Sequence, residues 1–205
     1  TVRTITRDQL RRLVGKIANA LRSVGVKAGD RVAAFCANVP EVVVFALAAA
    51  CIGASYAAAS ADFGADAVVD RFEQIKPKVI LVGNAAFYNG KVHDQVEKVK
   101  VVMERLESVE RFVIINVIDG NANKILGHPK CVDFDQFIAD QPEDLLFAQL
   151  PFDHPLYIMF SSGTTGKPKC IVHGAGGTLL QHLKEHKLHM DFKEGDVFFQ
   201  FTLTG

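Results

Sequence analysis

Between residues 160 and 169 the chain carries small, hydroxylated and cationic side chains that could hold a polyphosphate. The run reads Phe-Ser-Ser-Gly-Thr-Thr-Gly-Lys-Pro-Lys. Because Gly163 and Gly166 have no side chains to keep a ligand away, backbone amides can converge on an anion. The other members that can donate hydrogen bonds or supply positive charge are Ser161, Ser162, Thr164, Thr165, Lys167 and Lys169. This composition predicts an anion-binding loop that suits a polyphosphate.

Two other interpretations of this run need to be weighed. The P-loop of nucleotide triphosphatases requires G-x-x-x-x-G-K followed by Ser or Thr. Here Ser161 stands at the first Gly position and Pro168 follows Lys167, so the P-loop pattern fails twice. The second interpretation is a surface hairpin turn, because Gly, Ser, Thr and Pro are common turn residues. Since hairpin turns usually need only about two to five such residues, we favour the phosphate-binding loop.

The stretch from 157 to 169 resembles the signature loop of the adenylate-forming acyl-CoA synthetases, a superfamily that includes luciferases and the adenylation domains of peptide synthetases. In that family the loop holds the β- and γ-phosphates of ATP. The resemblance extends this role to Ser161, Ser162, Gly163, Thr164, Thr165, Gly166, Lys167 and Lys169. Most members have Gly at the next position, where this chain has Cys170. That departure and the segment 173–186 resemble the acetoacetate-activating branch of the family.

The resemblance implies a ligation in two halves. A carboxylate attacks the α-phosphorus of ATP, pyrophosphate leaves, and the CoA thiol then intercepts the acyl adenylate. In the branch that this sequence resembles, the acid is acetoacetate. A sister ligase for acetate or another short acid stays open, as does a non-catalytic nucleotide- or anion-binding module. Lys91 resembles in placement a basic residue that meets the phosphates of CoA in related enzymes, but a solvated lysine at a helix start is the plainer interpretation.

The resemblance runs through nearly all of this chain but covers only the front part of a family member. The family's adenine-pocket motif, magnesium-binding Glu, ribose-binding Asp and C-terminal catalytic Lys have no counterpart here. We therefore expect residues 1–205 to be a partial N-terminal adenylating domain that lacks the mobile C-terminal domain. The ligand for Mg²⁺ and the acyl pocket are expected beyond Gly205, and no catalytic residue can be assigned. We expect this piece alone to be inactive in adenylation.

Helical patterns dominate the start of the chain. Thr6 and Gln9 form a capping-box pattern before an amphipathic helix that stops at Gly25. Asn38 is expected to cap a second helix, with Pro40 in its first turn. This second helix is apolar on nearly every side, which predicts that it lies inside the protein.

Strand and helix patterns then alternate toward the loop. Helices are predicted at 66–75, ended by Lys76-Pro77, and at 92–106. Apolar runs predict strands at 31–37, 55–60, 79–82, 112–118 and 156–160. The alternation predicts an α/β fold with a mostly parallel sheet flanked by helices. In such sheets ligands bind where strands end, which suits a loop that follows residue 160.

The remaining segments have weaker patterns. Residues 119–130 are rich in Asn and Gly and are expected to form a mobile insert. Residues 133–139 are predicted to be a short helix, and 141–150 a linker or another helix. The stretches 61–64 and 69–72 also resemble the acetoacetate-activating branch, and we assign them packing roles.

Composition narrows the possible partners. The chain is 49% apolar and 22% charged, which is typical of a globular protein, and its 23 basic residues balance 23 acidic ones. The chain has no excess of basic residues of the kind that would indicate nucleic-acid binding. The uncharged stretch 42–61 is long enough to cross a bilayer, but it is rich in alanine and predicts a buried helix and strand instead. The partners that the family resemblance implies are acetoacetate, ATP and CoA, and the sequence indicates no particular oligomeric state.

Cysteines and histidines raise the question of metal binding. The four cysteines form no C-x-x-C pair, so neither a zinc site nor a disulfide framework is indicated, and a reducing, cytoplasmic setting is expected. His182, Glu185 and His186 match the H-x-x-E-H zinc-protease pattern, and His189 lies one turn further. A third ligand would have to come from elsewhere, so we expect no metal site in this chain.

Overall fold

A computed structural model of the chain describes residues 4–161, 166–200 and 202. Its strands are β1 (Arg31–Cys36), β2 (Ser55–Ser60), β3 (Val79–Gly83), β4 (Ala85–Tyr88), β5 (Lys91–Asp94), β6 (Arg111–Ile115), β7 (Cys131–Asp133), β8 (Pro155–Ser161) and β9 (Lys169–Gly174). Its helices are α1 (Arg7–Ser23), α2 (Pro40–Ile52), α3 (Ala65–Ile75), α4 (Val96–Arg105), α5 (Asn123–Leu126), α6 (Phe134–Ile138) and α7 (Ala175–Lys184), followed by a π-helical turn (Glu185–His189).

Seven of these strands form one sheet in the order β7-β6-β3-β1-β2-β8-β9. Every neighbouring pair is parallel except β8 and β9, which are antiparallel. The prediction of an α/β fold with a mostly parallel sheet flanked by helices is confirmed. Strands β4 and β5 form a separate antiparallel hairpin that follows β3 directly.

Helices cover both faces of this sheet and create two apolar layers. One layer contains Ile17 of α1 and Phe45 of α2, and the other contains Phe72 of α3 and Val99 of α4. Because side chains alternate along a strand, Val32 faces the first layer and Ala33 the second. All five residues of β3 are buried, as its continuous apolar run predicts for a strand covered on both faces.

Helix α1 begins as the sequence predicts. The Thr6 amide donates to Gln9 Oε1 at 2.9 Å, and the Gln9 amide donates to Thr6 Oγ1 at 3.2 Å. These two bonds complete the capping box, because each residue satisfies an amide that the helix leaves unpaired. The prediction that α3 ends at Lys76-Pro77 is also confirmed, since Lys76 adopts a left-handed conformation with φ of 48°.

The start and the burial of α2 differ from the prediction. Its N-cap is Val39, and Asn38 Nδ2 instead donates to the carbonyl oxygen of Thr202 at 2.6 Å. The helix is also not buried on every side, because Val43 and Leu47 are 50% and 40% exposed. A helix lying on one face of a sheet turns its outer side away from that sheet, even where the side chains are apolar. The stretch 42–61 thus forms parts of α2 and β2 as predicted, and every described helix is too short or too polar to cross a bilayer.

The helix predicted at 92–106 begins four residues late, at Val96. Asn89 and Gly90 have positive φ values of 49° and 71°, and they turn the chain between β4 and β5. Two central residues with positive φ are what a tight hairpin turn requires, and Asn-Gly is its preferred sequence. Lys91 therefore lies on a strand, and its interpretation as a residue at a helix start is wrong.

The later segments follow the prediction in part. Residues 119–130 contain α5, whose Ile125 is buried, so part of the expected mobile insert is packed. The short helix predicted at 133–139 is α6, but the preceding strand β7 was not expected. Residues 141–150 form a linker without a helix, and Asn19 Nδ2 donates to the carbonyl oxygens of Pro142 and Asp144.

Candidate phosphate-binding hairpin

The predicted phosphate-binding loop connects two antiparallel strands. Ser161 at the end of β8 pairs in register with Lys169 at the start of β9, so residues 162–168 form the connection. Ser162, Gly163, Thr164 and Thr165 lie outside the described residues. The hairpin interpretation and the phosphate interpretation are therefore not exclusive, because the loop is a hairpin connection of unusual length.

This hairpin emerges where ligands commonly meet α/β sheets. Strands β3, β1, β2 and β8 are parallel neighbours, so their carboxyl ends lie along one edge of the sheet. The connection after Ser161 leaves that edge, and so does the β4–β5 hairpin after β3. Both segments for which a phosphate contact is predicted thus begin at the edge where open α/β sheets bind ligands.

Ser161 and Lys169 are placed to act together. They are register partners, so their side chains lie on the same face of the hairpin. Phe160 points to the opposite face, where its ring lies 6.3 Å from that of Phe72 in α3. Lys169 is exposed and forms no ion pair with a residue that the structure describes. Within those residues, no carboxylate therefore competes with an anion for its ammonium group.

Lys167 is held differently, because α3 carries two carboxylates beside it. Its Nζ lies 3.7 Å from Glu73 Oε2 and 4.0 Å from Asp70 Oδ1. The same helix also contacts the next residue, since Gln74 Nε2 donates to the carbonyl oxygen of Pro168 at 3.0 Å. The last part of the loop is thus fastened to α3, and the positive charge of Lys167 is partly offset.

The backbone conformation at position 166 requires a glycine. Its φ is +148°, a conformation that residues with a side chain rarely adopt. The glycine therefore lets the chain turn into the segment that α3 holds.

The histidine pattern gains no third ligand in the described part of the chain. His182 and His186 stack with ring centroids 6.2 Å apart, and His186 also lies against Phe192. No group of three potential metal-ligating residues occurs among the described residues. The arrangement is an exposed stack of rings along α7 and the π-helical turn, and it gives no support to a zinc-protease site.

Comparison with known proteins decides the family. The family model described as "AMP-binding enzyme" matches residues 1–203. The chain belongs to the AMP-binding enzyme family. Acetoacetyl-CoA synthetase from Mus musculus is 47% identical over 206 residues, which cover 98% of this chain and 31% of the mouse protein. Malonamoyl-CoA synthetase from Penicillium aethiopicum is 40% identical over 198 residues, covering 94% of this chain and 27% of that protein.

A solved structure agrees with these sequence relatives. Acetoacetyl-CoA synthetase from Streptomyces lividans superposes with a TM-score of 0.89 at 38% identity, covering 96% of this chain and 29% of that one. The predicted resemblance to the acetoacetate-activating branch of the AMP-binding enzymes is confirmed. The chain spans 31% of the length of the mouse relative.

Helix α3 contributes charged residues beside the loop that the sequence did not indicate. The packing role expected for residues 69–72 holds for Arg71, whose guanidinium lies 4.5 Å from the centre of the Phe63 ring. Asp70 and Glu73, however, lie near Lys167. Their spacing of three residues places them on one face of a helix, which was visible in the sequence. Which cation they meet was not visible.

The reactivity of the cysteines tests whether the first apolar layer is closed. Cys36 and Cys51 are buried and free, and burial raises the pKa of the Cys36 thiol to about 12. Cys170 is free and exposed on β9. At about pH 8 a thiol-specific disulfide reagent should therefore label Cys170 first, since only an accessible thiolate reacts. Cys36 and Cys51 should react only after unfolding in guanidinium chloride.

Labelled residues would be assigned by mass spectrometry of peptides. Burial also raises the pKa of Cys131, to about 11, so this half-buried thiol should react more slowly than Cys170. Cys170→Ser should abolish the fast phase. Rapid labelling of Cys36 in the native protein would show that the first apolar layer is not closed.

Proposed function

We propose that residues 1–205 are the front part of the N-terminal adenylating domain of an acid–CoA ligase. Its reaction converts acetoacetate, ATP and CoA to acetoacetyl-CoA through an acyl adenylate, with release of pyrophosphate and AMP. The observation that carries this proposal is the 47% identity to mouse acetoacetyl-CoA synthetase over 98% of the chain. The four free cysteines support a reducing, cytoplasmic setting.

The β8–β9 connection would hold the β- and γ-phosphates of ATP. Ser161, Ser162, Gly163, Thr164, Thr165, Gly166, Lys167 and Lys169 are the residues we assign to this role. Its start at the carboxyl edge of the sheet supports the assignment, as does Lys169, which forms no ion pair with any residue in the described ranges. By gripping the pyrophosphate end, these groups would keep the leaving group in line and offset the charge that develops on it.

Lys167 would reach the phosphates only by leaving its acidic neighbours. Its side chain is 62% exposed, and an exposed ion pair contributes only about 0–1 kcal/mol. A triphosphate carries several negative charges and would therefore compete well with Glu73 and Asp70. We propose that ATP draws Lys167 away from α3 while the Gln74 contact to Pro168 keeps the end of the loop in place.

Lys91 would contact the phosphates of CoA. It is exposed on β5, next to the tip of a hairpin that leaves the carboxyl edge of the sheet. A mobile ammonium beside an open edge suits a phosphate that binds at the protein surface.

No residue in the described ranges is assigned to Mg²⁺ binding or to catalysis. The acidic pair beside the loop, Asp70 and Glu73, faces Lys167. We propose that the Mg²⁺ ligand and the catalytic residues lie in other parts of the ligase.

A second candidate acid is supported by one comparison. The chain is 40% identical to malonamoyl-CoA synthetase, whose named product is also a short acyl-CoA with a second carbonyl group. The residues that choose between acetoacetate, malonamate and acetate are expected in the acyl pocket outside this chain. A non-catalytic anion-binding module is the remaining alternative, and it would bind ATP without any exchange reaction.

Pyrophosphate exchange tests the proposal. The full-length ligase should incorporate labelled pyrophosphate into ATP when acetoacetate is present, and malonamate and acetate serve as comparison acids. The 205-residue protein alone should give no exchange above the blank, because the Mg²⁺ ligand and the catalytic residues are supplied elsewhere. Exchange by the 205-residue protein would refute the assignment of catalysis to other parts. Failure of the full-length protein with all three acids would refute the ligase function.

A further inference from the structure

Asn84 occupies the junction between the sheet and the β4–β5 hairpin. It follows the last residue of β3 and precedes the first residue of β4. It is fully buried, with 0% of its surface exposed, although it is one of the more polar side chains. A buried amide is tolerated only when its donors and acceptors are satisfied, so its partners reveal what it holds together.

The side chain of Asn84 binds the loop that follows β6. Oδ1 accepts hydrogen bonds from the amides of Val117 at 2.8 Å and Ile118 at 3.3 Å. Nδ2 donates to the carbonyl oxygen of Ile118 at 2.7 Å and to Asn121 Oδ1 at 2.6 Å. Both acceptor positions and both donor hydrogens are used, which is the full capacity of an amide side chain.

The backbone of Asn84 closes the base of the hairpin. Its carbonyl oxygen accepts from the amide of Gln95, the residue that follows β5, at 3.0 Å. Its amide donates to the carbonyl oxygen of Ile115 at the end of β6, at 3.2 Å. One residue therefore ties together the entry of the hairpin, its exit and the neighbouring strand of the sheet.

Beyond this base the hairpin has little other support. Its strands pair with each other and are not part of the seven-stranded sheet. Phe87, Tyr88 and Val92 are 62%, 73% and 51% exposed. The base of the hairpin is packed, since Ala85 and Ala86 are buried. The direction in which the hairpin projects is thus set where Asn84 holds it, and Lys91 is carried with it.

We propose that Asn84 is a positioning residue for CoA binding. It fixes the β4–β5 hairpin at the carboxyl edge of the sheet and so places the ammonium of Lys91 for the phosphates of CoA. The inference rests on the proposed function, because it takes Lys91 as the phosphate contact. Asn84 itself touches no substrate, and its effect passes through the hairpin.

Hydrogen–deuterium exchange of the full-length ligase tests the structural half without any ligand. Asn84→Asp keeps the shape and the acceptors but loses both Nδ2 donors. We expect amides of residues 85–94 to exchange about tenfold faster while β1 and β3 keep their protection. Asn19→Ala is the matched control, because it removes side-chain bonds to backbone carbonyls at residues 142 and 144 instead. Unchanged exchange at 85–94 in Asn84→Asp would overturn the inference, whatever the protein's activity.

Steady-state kinetics of the full-length ligase test the functional half. Asn84→Asp should raise the KM for CoA about tenfold, while pyrophosphate exchange, which needs no CoA, changes less than about twofold. An equal loss in both reactions, or an unchanged KM, would overturn the positioning role. Lys91→Ala separates the two proposals. If Asn84→Asp raises the KM for CoA and Lys91→Ala does not, the assignment of Lys91 as the phosphate contact fails. The proposal that Asn84 acts through Lys91 is then overturned.

Gly90→Ala keeps the test valid if Asn84→Asp does not fold. Gly90 has a φ of +71° at the tip of the hairpin, far from the core, and an added Cβ strains the turn there. This variant should raise the KM for CoA without affecting pyrophosphate exchange. A KM equal to that of the parent would show that hairpin geometry does not matter for CoA.

Discussion

Replacement of Lys169 by alanine in the full-length ligase should lower acetoacetate-dependent pyrophosphate exchange by about 10²–10³-fold. Lys169 is exposed, lies on the same face of the hairpin as Ser161 and has no ion-pair partner in the described ranges. Since no carboxylate in those ranges offsets its charge, we expect it to interact with the pyrophosphate that leaves. Lys167→Ala should cost less, because Glu73 and Asp70 already offset part of that charge.

Two further variants make the Lys169 result interpretable. Lys169→Arg keeps the charge and should recover part of the activity, although its planar group fits a lysine position imperfectly. Lys184→Ala is the control, because Lys184 is an exposed lysine of α7 that pairs with Glu185. Exchange within about threefold of the parent in Lys169→Ala would remove the main support for the phosphate-binding loop.

Replacement of Gly15 by alanine should lower the free energy of unfolding by about 3 kcal/mol. Gly15 lies in α1 where the linker at 141–150 crosses the helix. An added Cβ would stand 2.0 Å from the carbonyl oxygen of Glu143 and 2.5 Å from its carbon. These are backbone atoms and cannot rotate away as a side chain could. The linker would have to shift, and with it the bonds from Asn19 to Pro142 and Asp144.

Urea denaturation and thermal unfolding measure this effect. A loss of about 3 kcal/mol corresponds to a melting temperature about 6–12 °C lower for a chain of this size. Gly177→Ala is the matched control, since no described atom lies within 4 Å of the added Cβ, and alanine favours the helix there. Gly15→Ala with the stability of the parent would mean that the linker does not rest on α1 as described.

Much of the fold was predictable from local sequence patterns. The capping box of Thr6 and Gln9, the stop at Lys76-Pro77 and the continuous apolar run of β3 each depend on residues close in the chain. Such features are decided by neighbouring side chains and backbone, so the sequence displays them directly. Their alternation was enough to predict a mostly parallel sheet.

The errors arose where a turn or cap competed with a longer pattern. Asn89-Gly90 is a strong hairpin signal, but the charged helical pattern that follows it was extended back over β5. Asn38 has the side chain of an N-cap, yet Val39 takes that position and Asn38 bonds to Thr202. That partner is 164 positions away and could not be read from the helix start.

The sequence by itself predicted an anion-binding role for the β8–β9 connection, because glycines, hydroxyls and lysines together offer the amides, donors and positive charge that an anion needs. It also determined the family, through the motif at 157–169 and its continuation. Only the tertiary structure decided that α3 holds the end of this loop and that Asn84 holds the hairpin of Lys91. Gln74 and Pro168 are 94 positions apart, and Asn84 and Asn121 are 37 apart. Contacts of that range depend on which strands become neighbours in the sheet, and strand order is set by packing of the whole chain.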